Sequence, residues 1–159
     1  MERLYERFVL KYYEQHHHKL PAAPIIDWDC SEESDSRLIQ YFPKMKTDIV
    51  LTKDNKTLII DAKYYSKSMI ENYDKATLRS AHLYQIFAYV KNMDTTNTDN
   101  VSGLLLYAKT EEEVFPDGEP FVISGNSIGA KTLDLNKEFK EISAQLDRIA
   151  IDYFGNATA

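Results

Sequence analysis

Apolar residues along the chain fall into helical spacing at both ends and into short strand-like runs between them. In "LYERFVLKYYEQ" (residues 4–15), Leu4, Phe8 and Tyr12 stand one above another at helical spacing. The two prolines of the following "LPAAP" end any helix. Ile25, Ile26 and Trp28 predict a first strand, "DCSEESD" an exposed acidic loop, and "RLIQYF" a second strand closed by Pro43. "KTDIVLTKDNKTLIIDAKYY" (46–65) reads as two strands around a polar turn. "KATLRSAHLYQIFAYVKNM" predicts a helix with Leu83, Phe87 and Val90 on one face. "VSGLLLYAK" is nearly continuous in apolar residues, the pattern of a strand buried on both faces. After a solvated turn carrying Glu111–Glu113, "FVIS" and "KTLDL" predict two more strands. Phe139, Ile142, Leu146, Ile149 and Tyr153 then mark a closing helix capped by Gly155. This order predicts one α/β domain over residues 1–155, a mixed central sheet flanked by helices, with a tail at 156–159.

One hairpin holds more than a core requires. With Asp54-Asn55 as its turn, Ile49 faces Ile60, Leu51 faces Leu58, Thr47 faces Ala62 and Asp48 faces Asp61. Side chains alternate along a strand, so Ile49, Leu51, Leu58, Ile60 and Ala62 form a clean core face. Asp48, Val50, Ile59, Asp61 and Lys63 share the other. Opposed carboxylates sit roughly 4.5–5.5 Å apart at Cβ and repel, and apolar neighbours leave them poorly solvated. An ion-paired surface hairpin answers this arrangement with Lys63 alone. A hard divalent cation such as Mg²⁺ or Mn²⁺ answers it with two charges and suits oxygen ligands at this separation.

Composition narrows the partners. The formal charge is −6, which argues against a general nucleic-acid binder, but it is unevenly spread. Residues 1–92 carry 14 Lys and Arg against 13 Asp and Glu; residues 93–159 carry 5 against 12. A polyanion would therefore meet the N-terminal part, with bound divalent metal aiding it. No apolar run approaches the ~18–20 residues needed to cross a membrane, and the start "MERLYERF" lacks a signal-peptide core. The single cysteine, Cys30, excludes an internal disulfide, fits a cytoplasmic location and reads as an inert thiol. His16–His18 are consecutive and point apart, so they read as a frayed, solvated helix end rather than a metal site.

Asp48, twelve intervening residues and then Asp61-Ala62-Lys63 resemble the PD-(D/E)xK nuclease motif, with Thr47 at the position of its weak proline. Gln85 and Tyr89 resemble the Q-x-x-x-Y motif of RecB-like nucleases, and Glu6 stands on the first helix, where many members place another metal-binding carboxylate. The longer stretches "LYERFVLKYY", "KTDIVL", "LIIDAKYY", "LYQIFAYVKN" and "GLLLYAKT" resemble the nuclease domain of the McrC-type subunit of 5-methylcytosine restriction systems.

The resemblance implies a restriction-endonuclease-like fold and Mg²⁺-dependent hydrolysis of DNA phosphodiesters, with Mn²⁺ as a substitute. It implies metal binding by Asp48, Asp61 and the Ala62 carbonyl, with Glu6 as a further ligand. It gives Lys63 the role of orienting water or stabilising the transition state, and Gln85 and Tyr89 that of holding the phosphate or the lysine. The implied partners are DNA, a McrB-like AAA+ GTPase engaged through a preceding region that this sequence lacks, and a second nuclease copy or homodimer for double-strand cleavage. Methyl or sequence recognition is expected on another chain. A non-cleaving DNA-binding or assembly module, a RecB-like exonuclease and a junction resolvase remain alternatives at this point.

Overall fold

The computed structural model describes residues 1–17, 21–31, 36–64, 69–72, 75–109 and 118–155. His18, Glu111–Glu113 and the tail 156–159 lie outside these. Helix α1 (Glu2–His16) leads through strand β1 (Ile25–Ile26), a single helical turn α2 (Ser36–Ile39) and β2 (Met45–Lys46) into β3 (Ile49–Lys53) and β4 (Lys56–Lys63). A small hairpin, β5 (Met69–Asn72) and β6 (Lys75–Leu78), precedes helix α3 (Ser80–Met93). The strands β7 (Val101–Ala108), β8 (Phe121–Ile123) and β9 (Asn126–Leu133) follow, and helix α4 (Phe139–Phe154) comes last.

The main sheet has the order β3-β4-β7-β9-β8. β7 lies parallel to β4 and β9, while the outer pairs β3–β4 and β8–β9 are antiparallel. Asp54 adopts φ 55 in the turn of the first hairpin, a conformation that aspartate tolerates better than most residues. That turn fixes the register expected from sequence for Ile49 on Ile60 and Leu51 on Leu58. The expected Thr47–Ala62 and Asp48–Asp61 pairs do not form, because the ladder stops at Ile49 and the Asp48 side chain takes the Ala62 N–H.

Each face of the sheet supports its own core. Ile49, Leu51, Leu58, Ile60 and Ala62 join Leu104, Leu106 and Leu133 beneath α1 and α4. On the other face Val50, Ile59, Leu105 and Tyr107 pack under α3. The middle strand β7 is thus buried on both sides, as its apolar run predicts. Gly103 brings α3 close to it, since an added Cβ there would meet Ile86 Cγ1 at 2.7 Å and Val90 Cγ2 at 2.8 Å.

The buried faces of two helices are rotated from the sequence expectation. Leu4 is 64 % exposed, while Tyr5, Val9, Tyr12 and Tyr13 face the core. Tyrosines can take these places because their hydroxyls find partners: Tyr5 donates to Leu106 O at 3.1 Å and Tyr13 to Leu146 O at 2.7 Å. On α3 the buried residues are His82, Ile86, Tyr89 and Val90, with Leu83 and Phe87 half-buried.

Three local expectations are corrected. "RLIQYF" is no strand; its backbone bonds locally, Tyr41 N–H to Leu38 O and Phe42 N–H to Ile39 O, both at 3.0 Å. "KATL" pairs with Met69–Asn72 as β6 instead of opening α3. The end of α1 is not wholly solvated: His17 Nε2 lies 2.7 Å from Asp147 Oδ1 on α4, and its side chain is largely buried.

Candidate active site

The site forms where the first hairpin opens at its β2 end. Thr47 is buried and holds the approach to β3 through its hydroxyl and N–H, which both donate to Pro24 O. The β3–β4 ladder ends at Ile49 and Ile60. Beyond it Asp48 does not extend the strand; its Oδ2 accepts the Ala62 N–H at 2.9 Å. In an extended strand a residue's N–H and C=O point to the same side, so the Ala62 carbonyl also faces the Asp48 edge.

Asp61 and Lys63 emerge from β4 on the α3 face, 5 % and 6 % exposed. Lys63 Nζ lies 3.1 Å from Asp61 Oδ2 and donates to Gln85 Oε1 at 2.7 Å. Gln85 Nε2 donates to Tyr89 OH at 2.9 Å, and Tyr89 OH donates to Lys46 O at 3.1 Å. A continuous polar chain therefore runs from Asp61 through Lys63, Gln85 and Tyr89 to the backbone beside Thr47. Gln85 and Tyr89 stand one turn apart on α3, which is why their side chains meet.

Electrostatically the site is short of positive charge. Burial pushes the Asp48 carboxyl up to about 8, helped by its hydrogen bond to Asp61 and by the charges of Asp61 and Glu6; the Ala62 N–H opposes the rise. Glu6 is also raised, by burial first, then by Glu2 and Asp61, with Lys63 and Arg3 acting against them. Glu6 thus lies within the field of the carboxylate pair. Among the described residues, however, no three His, Cys, Asp or Glu side chains converge as a ready metal cluster, and Glu6 stands apart from Asp48 and Asp61. Lys63 is within ion-pair reach of Asp61 Oδ2, but their alignment does not make a hydrogen bond. That oxygen is buried without a hydrogen-bond partner among the described residues.

This donor set fits a hard divalent cation. Two carboxylates and a strand carbonyl are all oxygen, one carboxylate oxygen makes no hydrogen bond, and Asp48 is held at a raised pKa where a cation would relieve it. The structure brings Asp48, Asp61, Ala62, Lys63, Gln85 and Tyr89 to one place and leaves Glu6 at its edge. Sequence reasoning did not assign the Lys46 carbonyl or Tyr107, whose hydroxyl lies 2.9 Å from His82 Nδ1. Backbone acceptors leave no mark in a sequence, and Tyr107 sits in an apolar run that reads as core. His82 itself is lowered by burial and by the Lys63 charge, with Asp61 acting against them.

The sheet order, the helices on both faces and the open end of the first hairpin define a restriction-endonuclease-like α/β domain. The McrBC 5-methylcytosine restriction system component family model matches residues 1–108, and the chain belongs to that family. It is 32 % identical over 157 residues to the type IV methyl-directed restriction enzyme EcoKMcrBC of Escherichia coli (strain K12). That match covers 96 % of this chain but 43 % of the relative. Among solved structures it resembles a chain in a half-complex of the tetradecameric assembly of Thermococcus gammatolerans McrB AAA+ hexamers with bound McrC. The TM-score is 0.54 at 21 % identity, over 94 % of this chain and 33 % of that one. No described helix is long and apolar enough to cross a membrane.

Proposed function

We propose that this domain is the DNA-cleaving module of a modification-dependent restriction system and hydrolyses phosphodiesters with Mg²⁺ held by Asp48, Asp61 and the Ala62 carbonyl. The observation that carries the reading is the buried Asp61 oxygen, which makes an ion pair with Lys63 but no hydrogen bond, beside an Asp48 that burial drives toward protonation. Lys63 brings one positive charge to two closely held carboxylates, and a divalent cation would balance the charge that remains. Family membership supports the restriction role.

Within the site each residue has a task. Asp48 and Asp61 supply the anionic oxygens, and the Ala62 N–H fixes the orientation of the Asp48 carboxylate. Lys63 presents its ammonium beside them, placed to orient water or meet the negative charge that grows on a phosphate under attack. Gln85 restrains that ammonium, and Tyr89 restrains Gln85 against the Lys46 carbonyl. Glu6 adds negative field at the margin and would reach the cation through a small movement or a bridging water. Mg²⁺, when bound, supplies charge neutralisation and lowers the pKa of water in its coordination sphere.

The acidic balance of the chain and the absence of any base-reading motif in its sequence put DNA localisation on a partner, an AAA+ GTPase of the McrB kind, with a second nuclease copy for the opposite strand. The McrC of the Thermococcus assembly is bound to such hexamers. Calorimetric titration of Mg²⁺ and Mn²⁺ into the wild type and Asp61→Asn tests the core of the reading. Binding by the wild type and its loss in the variant are expected; equal heats from both proteins would remove the metal site.

A further inference from the structure

Three residues on one side of α3 each grip a different point below the helix. Tyr89 reaches Lys46 O, Gln85 receives the Lys63 ammonium, and His82 meets Tyr107 OH through Nδ1. The first two contacts belong to the carboxylate site. The third reaches the same place by another route, because the β4–β7 register sets Tyr107 directly beside Lys63. Paired residues of neighbouring strands project from the same face, so Tyr107 and Lys63 stand side by side under α3.

Both members of this third contact are buried, Tyr107 at 1 % and His82 at 6 % exposure, and their rings lie 5.8 Å apart. Burying a phenol and an imidazole carries a desolvation cost that apolar residues of similar volume would avoid. The pair also stands where α3 most needs an anchor. Its N-cap residue, Arg79, makes no side-chain capping bond, and His82 lies in the first turn.

We propose that the His82–Tyr107 pair is a positioning element for Lys63, which locks the first turn of α3 onto β7 so that Gln85 delivers its amide oxygen to the lysine ammonium. Lys63 ends a four-carbon stem with many rotamers, and only its contacts confine it. Gln85 is flexible too, so its oxygen is placed only as well as the helical turn that carries it. Tyr89 fixes that turn from the C-terminal side, and His82 fixes it from the N-terminal side. The consequence for catalysis rests on the nuclease reading; the consequence for Gln85 does not.

The test compares Tyr107→Phe, His82→Leu and His82→Asn, the last of which keeps a polar atom near the Nδ1 position. In metal-free protein, the Gln85 side-chain amide resonances are followed by NMR. Tyr107→Phe and His82→Leu are expected to displace and broaden them, and His82→Asn to restore them. In cleavage assays at low salt with Mg²⁺, the first two variants should lower kcat by about 10- to 100-fold with KM unchanged, as expected for a small misplacement of a reacting group. His82→Asn should recover most of that loss. Gln85 resonances that stay in place in Tyr107→Phe would overturn the proposal. So would a kcat loss that His82→Asn fails to recover. If the lone wild-type domain cuts no DNA, as its dependence on a partner allows, the Gln85 resonances alone decide the positioning role, while metal titration decides the nuclease reading.

Discussion

Asp48 Oδ2 accepts the Ala62 N–H at 2.9 Å, taking over one step beyond the last rung of the β3–β4 ladder. A ladder bond between backbones is thereby replaced by one from the backbone N–H to a carboxylate. An acidic group is so held against Asp61 at the open end of the hairpin, and the stability of the metal-free protein becomes dependent on pH.

Burial raises the Asp48 carboxyl from 3.8 to about 8. A carboxyl raised in the fold binds its proton more tightly folded than unfolded, so stability falls as pH rises through that interval. The slope approaches ~1.4 kcal/mol per pH unit where one proton is at stake. Melting in chelator from about pH 5 to 8 should show a falling midpoint for the wild type and a flatter course for Asp48→Asn. At the upper end Asp48→Asn should be at least as stable as the wild type, and excess Mg²⁺ should stabilise only the wild type strongly. Parallel profiles for the two proteins, or collapse of the variant, would make the aspartate a purely structural residue.

Lys63→Met keeps the aliphatic stem and removes the charge. Metal binding should survive, while cleavage falls by about 10²–10³-fold, the scale seen when one preorganised donor is lost. Calorimetry and single-turnover cleavage measure the two effects separately. Unchanged cleavage would reduce Lys63 to a counter-ion for Asp61.

Binding to duplex DNA should be weak for the lone domain at about 150 mM salt and should strengthen steeply as salt is lowered. The motive is the charge distribution: near balance over residues 1–92 and strongly acidic beyond them. Electrophoretic assays across a salt series measure it. Tight binding with rapid cutting at physiological salt would replace the partner-dependent reading with an autonomous nuclease.

Asn126 is fully buried and joins three elements: its amide donates to Asp94 Oδ2 and Val101 O, and it accepts from Lys91 Nζ at 2.6 Å. Asn126→Ala leaves those groups unmatched and should cost on the order of 3 kcal/mol. A domain of this size should then melt roughly 10 °C lower. A shift within experimental error would mean that water replaces the amide.

Legibility in the sequence followed how local the determining physics is. The hairpin register could be read because a two-residue turn and strict alternation fix it, and those are neighbouring-residue effects. The middle strand could be read because burial on both faces leaves a nearly unbroken apolar run. The faces of α1 and α3 could not be read from aliphatic spacing, since Tyr5, Tyr13 and His82 bury polar tips on partners distant in the chain. "RLIQYF" has strand composition, yet nothing in that composition shows that its backbone bonds back on itself. The carboxylates, Lys63, Gln85 and Tyr89 were visible as residues. The backbone acceptor at Lys46 and the Tyr107 contact were not, because each depends on how α3 crosses the sheet.

Gly103 has a consequence for distance. With hydrogen in place of a methyl group, Ile86 and Val90 settle directly onto β7, and the gap between helix and sheet shrinks to what a glutamine can span. Position 85 then needs no longer arm to touch the Lys63 ammonium at 2.7 Å. A methyl group at 103 would press on Ile86 and Val90, and any lift of α3 that relieved it would open that gap while leaving every polar residue of the site in the chain. The length scale of the Lys63 contact is set from beneath the helix, by a residue that carries no chemistry of its own.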